Sequence, residues 1–185
     1  MTEFNDLDNW SSTTLPRNID HIAEIRAGKL YIEVPQAGTS VYTFFDDEDL
    51  GTADVRIDAT VELVAGPNFN NISLVCRRTS AGFYDFSMDS GGFWSIWWSD
   101  GTDFFELAGG GSTAINLQKA SNELVAVCEG NRLRFFINGV EVGSVTDASY
   151  PTGGVGVGVS IFDIPGAGVE FDYLLVTVPD LATLP

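Results

Sequence analysis

The sequence predicts an all-β domain, and three observations point there. Apolar and polar residues alternate with a period of two in many short runs. Gly, Asn, Asp and Pro bound those runs at regular spacing, with Asp100-Gly101 and Asn138-Gly139 the strongest hairpin signals. Helical periodicity is nearly absent, and no helix of three turns is needed anywhere. Short strands and turns in this rhythm indicate a sandwich or a barrel.

The expected strands follow in order. Lys29 to Val34 is one run. Val55 to Val64 places Val55, Ile57, Ala59, Val61 and Leu63 on one face. Asn71 to Arg77 does the same with Ile72, Leu74 and Cys76, and Phe83 to Met88 with Tyr84, Phe86 and Met88. After the Gly91-Gly92 turn, Phe93 to Trp98 puts Trp94, Ile96 and Trp98 on one side and Trp97 on the other. Asp103 to Ala108 follows, and Gly109-Gly110-Gly111-Ser112-Thr113 is expected to be a flexible loop. Asn122 to Glu129, Arg132 to Ile137, Val140 to Thr146, Gly154 to Ile161 and Val169 to Val178 complete the set. Asp20 to Ile25 is expected to form a helical turn. Residues 1–178 read as one domain and 179–185 as a tail or the start of a linker.

The 185 residues are enough to bury a real core, and 44% hydrophobic with 19% charged is a globular composition. The formal net charge is −17, with Lys29 and Lys119 the only lysines. That surface repels phosphate, so neither nucleic acid nor an anionic membrane is an expected partner. It suits divalent cations or salty surroundings. No apolar run of about 18 residues is present, so no membrane insertion is expected. The acidic start, Met1-Thr-Glu-Phe-Asn-Asp, lacks the apolar core of a signal peptide. The chain is then either cytosolic or a mature or excised domain. Cys76 and Cys128 are two free thiols or one disulfide, and composition does not decide.

The stretch Asn122-x-Leu124-x-Ala126-x-Cys128-x-Gly130-x-x-Leu133-x-Phe135-x-Ile137-Asn138-Gly139 resembles the signature hairpin of concanavalin A-like lectin/glucanase domains, including laminin-G-like members in bacterial extracellular proteins. Phe4-x-Asp6 with Trp10 is similar to the opening strand of that family. Cys76-Arg77 and Gly82-x-Tyr84-x-Phe86-x-Met88 are similar to its central pair, Gly153 to Gly158 to its glycine–valine strand, and Phe171-Asp172-Tyr173 to its closing strand. The resemblance spans Phe4 to Val178 and implies an antiparallel two-sheet jelly-roll sandwich, one sheet convex and one concave, with first and last strands adjacent. It also implies export, hence an excised or mature domain at an extracellular or cell-surface location. It implies a Cys76–Cys128 disulfide between neighbouring strands.

Glucanases of this fold draw two carboxylates from an E-x-D-x-x-E strand, and retaining enzymes need them about 5–5.5 Å apart. This sequence has no such motif, and its glutamates are scattered singly. His21 is the only histidine, and no nucleophile elbow accompanies it. An enzyme is therefore not expected. Calcium is the one plausible cofactor, structural in role, because it takes carboxylate and carbonyl oxygens. Its candidate ligands are Asp46, Asp47 and Asp49 in one acidic loop, and Asp6 with Asp172, where the resemblance places an ion beside the terminal strands. The aromatic cluster points to binding. Trp97 and one of Phe104 or Phe105 should face outward, and with Phe83 such rings can stack on sugars or anchor a protein. Asp85, Asp100 and Asp103 would supply orienting hydrogen bonds. The first reading is a non-catalytic carbohydrate-binding or adhesion module. A structural or protein-interaction subunit is the second, and a glycan hydrolase the third.

Overall fold

Alternation with a period of two gives each strand one apolar face, and two sheets bury those faces by packing on one another. The computed structural model describes residues 7–45 and 53–179. Fourteen strands lie within them: β1 (Trp10–Leu15), β2 (Ile22–Arg26), β3 (Lys29–Val34), β4 (Thr39–Phe45), β5 (Val55–Ala65), β6 (Asn71–Thr79), β7 (Gly82–Met88), β8 (Phe93–Ser99), β9 (Phe104–Gly111), β10 (Asn122–Glu129), β11 (Arg132–Ile137), β12 (Val140–Thr146), β13 (Gly154–Ile161) and β14 (Ala167–Thr177). They form two antiparallel sheets of seven strands. The first runs β1-β4-β13-β6-β7-β8-β9 and the second β12-β11-β10-β5-β14-β3-β2. Among the described residues there is no helix.

The core lies between the sheets and holds the residues that the alternation selected. Ile57, Ala59, Val61, Leu124, Ala126, Leu133 and Phe135 from one sheet meet Ile72, Leu74, Tyr84, Phe86, Met88 and Ile96 from the other. Phe86 and Phe135 make an edge-on ring contact across the middle, 5.8 Å between centroids. Cys76 on β6 and Cys128 on β10 are bonded there, with both residues fully buried. The bond therefore ties one sheet to the other, instead of joining neighbouring strands of one sheet.

Other expectations change as well. Asp20 to Ile25 is not a helical turn: Ile22–Arg26 is an edge strand whose Ala23 and Ile25 pack on the core. It returns through Ala27 and Gly28, both at positive φ (51° and 83°), as a two-residue hairpin requires. Gly109 to Gly111 continue β9 and are not a loop. Pairing with Phe93, Trp94 and Ser95 uses only their backbone, and the Trp94 ring lies where a Cβ at Gly143 on β12 would collide with it. β4 was not anticipated, and β1 begins at Trp10, the last residue of the expected opening strand. The first described strand pairs with β4, while β14 lies between β5 and β3 in the other sheet, so these two are not adjacent. Phe4 and Asp6 lie outside the described residues.

Candidate binding groove

The outer face of the first sheet is built from two rows of side chains in register. One row reads Tyr42, Gly158, Ser73, Ser87, Ser95 and Gly109 across β4, β13, β6, β7, β8 and β9. The next reads Phe44, Gly156, Val75, Asp85, Trp97 and Glu106. Small residues in these rows let large rings lie down over the sheet. A Cβ at Gly158 would collide with the Tyr42 ring, and one at Gly156 would sit 2.7 Å from Phe44 Cδ1. On β8 the Trp97 indole N–H donates to Ser95 Oγ at 2.6 Å and to Ser87 Oγ at 3.2 Å.

The rings support one another. Tyr42 packs on Phe83 at 5.0 Å and lies nearly parallel to Phe104 at 6.2 Å, while Phe83 meets Phe104 edge-on at 5.9 Å. Such pairs are worth about 0.5–1.5 kcal/mol each beyond their buried area, which holds the surface rigid. Phe83 and Tyr42 are both buried, so they support the part-exposed Phe104 more than they offer faces to solvent.

Asp85 lies in the same face with only 2% of its surface exposed. The Tyr42 hydroxyl donates to its Oδ2 at 2.7 Å. Its Oδ1 is buried and has no hydrogen-bond partner among the described residues, and the same holds for the nearby Ser73 hydroxyl. Burial pushes the carboxyl up to about 6, against the opposing pull of the bonded Tyr42 hydroxyl and, more weakly, of the nearby Ser73 and Ser87 hydroxyls, which form no well-aligned bond to it. Burial and the Asp85 charge together raise the Tyr42 phenol well above its usual range.

A cavity of about 120 Å³ opens here, lined by Ser40, Tyr42, Asn71, Asp85, Trp97, Phe104, Ser160 and Phe162. It continues past Phe104 and Ser40 into a groove lined by Leu15, Arg17, Gly101 and Thr102. From there it reaches Phe83, Arg78 and Asp100. The arrangement offers flat apolar rings beside hydroxyl, amide and carboxyl groups, along a channel longer than one ring.

The structure brings together Trp97, Phe104 and Asp85 as the sequence suggested, with Phe83 behind them. Asp100 is different: its Oδ1 accepts the backbone N–H groups of Thr102 (2.9 Å) and Asp103 (2.8 Å) and so shapes the β8–β9 turn at the groove edge. Those N–H groups hold its carboxyl below the usual carboxylate range. Asp103 is exposed in that turn and lines neither cavity nor groove. Tyr42, Ser40, Asn71, Ser160 and Phe162 were not anticipated. The signal for Tyr42 was present in the Gly156-x-Gly158 pattern, which leaves a strand bare on one face for a neighbour's rings. For calcium, Asp172 is exposed on β14, and Asp6, Asp46, Asp47 and Asp49 lie outside the described residues. Among the described residues no three acidic, histidine or cysteine side chains are grouped to hold a metal.

No family model and no curated protein matches the sequence. Solved structures do match its fold. A carbohydrate-binding module, CBM66, from Bacillus subtilis superposes with a TM-score of 0.70 at 14% identity, covering 91% of this chain and 94% of that one. The carbohydrate recognition domain of Emp47p gives 0.64 at 11% identity, covering 94% and 90%. The exoplasmic/lumenal domain of VIP36, in a form bound to Ca2+ and Man3GlcNAc, gives 0.67 at 10% identity, covering 97% and 87%. The chain thus shares the two-sheet antiparallel sandwich fold of these domains.

Proposed function

We propose that this protein is a non-catalytic carbohydrate-binding module that holds a glycan in the groove on the outer face of its first sheet. The observation that carries this reading is the pair of part-exposed rings, Trp97 and Phe104, set beside the buried Tyr42 and Asp85. Aromatic rings stack on the apolar faces of sugars, and the adjacent Asp85, Asn71, Ser40 and Ser160 supply the hydrogen bonds that orient them. The similarity to carbohydrate-binding folds supports it. The disulfide and the lectin-like fold support an oxidising, extracellular setting. A hydrolase would need a second carboxylate beside Asp85. The next in register is Glu106, two strands away, roughly 10 Å between backbones.

Affinity electrophoresis against a panel of polysaccharides, with and without calcium, tests the reading. One glycan should retard the protein, and Trp97→Ala should abolish the retardation. Retardation unchanged in Trp97→Ala would move the site elsewhere, and no retardation by any glycan would sink the reading.

A second reading rests on the loops at one end of the sandwich, where the exposed Phe69, Phe93 and Leu117 side chains lie against Gly91, Gly111 and Gly92 in turn. Exposed apolar residues gathered this way suit a protein contact. Sedimentation over a concentration series separates the two, since a self-assembling subunit would grow in mass where a glycan-binding monomer would not.

A further inference from the structure

The cavity at the head of the groove has an unusual composition. Four rings line it, those of Tyr42, Trp97, Phe104 and Phe162, and among the described residues the only carboxylate in its wall is Asp85. Among the described residues no basic side chain lines it; Arg17 belongs to the adjoining stretch of groove. Asp85 is buried with one oxygen unpartnered among the described residues, so its negative charge has no cation to offset it there. A buried carboxylate with one oxygen unpartnered and no positive neighbour is costly, and a ligand that brings a positive charge offsets that cost. Aromatic faces carry negative quadrupoles and favour the same ligand. The net charge of −17 draws cations toward the surface and opposes acidic sugars. The volume of about 120 Å³ is close to the ~150 Å³ that accepts one benzene ring, so it admits the edge of a single sugar.

Resting on the carbohydrate-binding reading above, we propose that this cavity takes a protonated amino group carried on a sugar ring, so that the glycan class is one with free, unacetylated amino sugars. A neutral hydroxyl could donate to Asp85 but gains nothing from the four rings. An acetamide group is larger and uncharged.

Three β-1,4-linked tetrasaccharides that differ only at carbon 2 test this: glucosamine (ammonium), N-acetylglucosamine (acetamide) and glucose (hydroxyl). Titration calorimetry is run near neutral pH, in salt that shortens the Debye length to about 3 Å, so that general attraction to the acidic surface is screened. The glucosamine tetramer should bind about tenfold more tightly than the other two, the size expected of a desolvated cation–π and carboxylate contact. Asp85→Asn should bring the three tetramers level. Phe162→Ala, at a half-exposed ring whose loss leaves the core intact, should reduce the preference in part. Equal binding of the three by the unaltered protein, or a preference that survives Asp85→Asn, would overturn the proposal while leaving the carbohydrate reading standing. If none of the three binds but another polysaccharide retards the protein, the amino-sugar assignment alone fails. If no glycan is bound in either experiment, both fail together.

Discussion

Asp85→Asn should stabilise the protein at neutral pH and do nothing in acid. The carboxyl is buried, with one oxygen bonded to Tyr42 and the other unpartnered among the described residues. Its value rises from 3.8 when exposed to about 6 in the fold. A group whose folded value is raised favours the protonated folded state, so its penalty is absent below about pH 4 and grows as pH rises to about 6. The difference of roughly two units corresponds to about 3 kcal/mol of stability lost above pH 6, at about 1.4 kcal/mol per unit. Asparagine has nearly the same shape and stays neutral, and its amide can donate to the unpartnered Ser73 hydroxyl. The two proteins should therefore unfold in denaturant with equal stability near pH 4, and the variant should exceed the parent by about 3 kcal/mol at pH 7. For a chain of this length that is a rise of about 6–12 °C in midpoint. Other carboxylates titrate in both proteins alike and cancel in the difference. A difference that stays constant between pH 4 and 7 would refute the claim that Asp85 is held charged and uncompensated.

The other expectations concern the scaffold beneath the groove. Replacing both Cys76 and Cys128 by alanine opens a loop with a sequence separation of 52 and should cost about 4 kcal/mol, read as a lower calorimetric midpoint. Because the bond ties the two sheets together, the loss should appear in the unfolding of the whole domain. Gly158→Ala places a methyl into the Tyr42 ring, so Tyr42 must move off Asp85; stability should fall by about 1–3 kcal/mol and glycan retardation should weaken with it. Retardation unchanged in Gly158→Ala would separate the ring position from binding. Tyr150→Phe removes a hydroxyl that donates to the backbone carbonyls of Ser99 and Ala81, and should cost about 1 kcal/mol in denaturant unfolding without changing glycan binding.

Sequence alone determined the sandwich and which side chains fill it. Val55 to Leu63, Ile72 to Cys76 and Leu124 to Cys128 alternate strictly, and alternation is a local property that survives in any pairing of the strands. The same logic placed Trp97 on the face opposite Ile96. Tertiary structure decided the rest. The strand order brings β4 beside β13, although more than a hundred residues separate them in sequence, and so sets Tyr42 over Gly158 and against Asp85. Nothing near Asp85 in sequence states that a phenol will reach its carboxyl, or that burial will raise its pKa. Asp100 shapes the β8–β9 turn by accepting two backbone N–H groups, and Asp103 is exposed in that turn, a role that follows from the chain reversal. Composition and periodicity report which face a residue takes; only the pairing of distant strands reports what it meets.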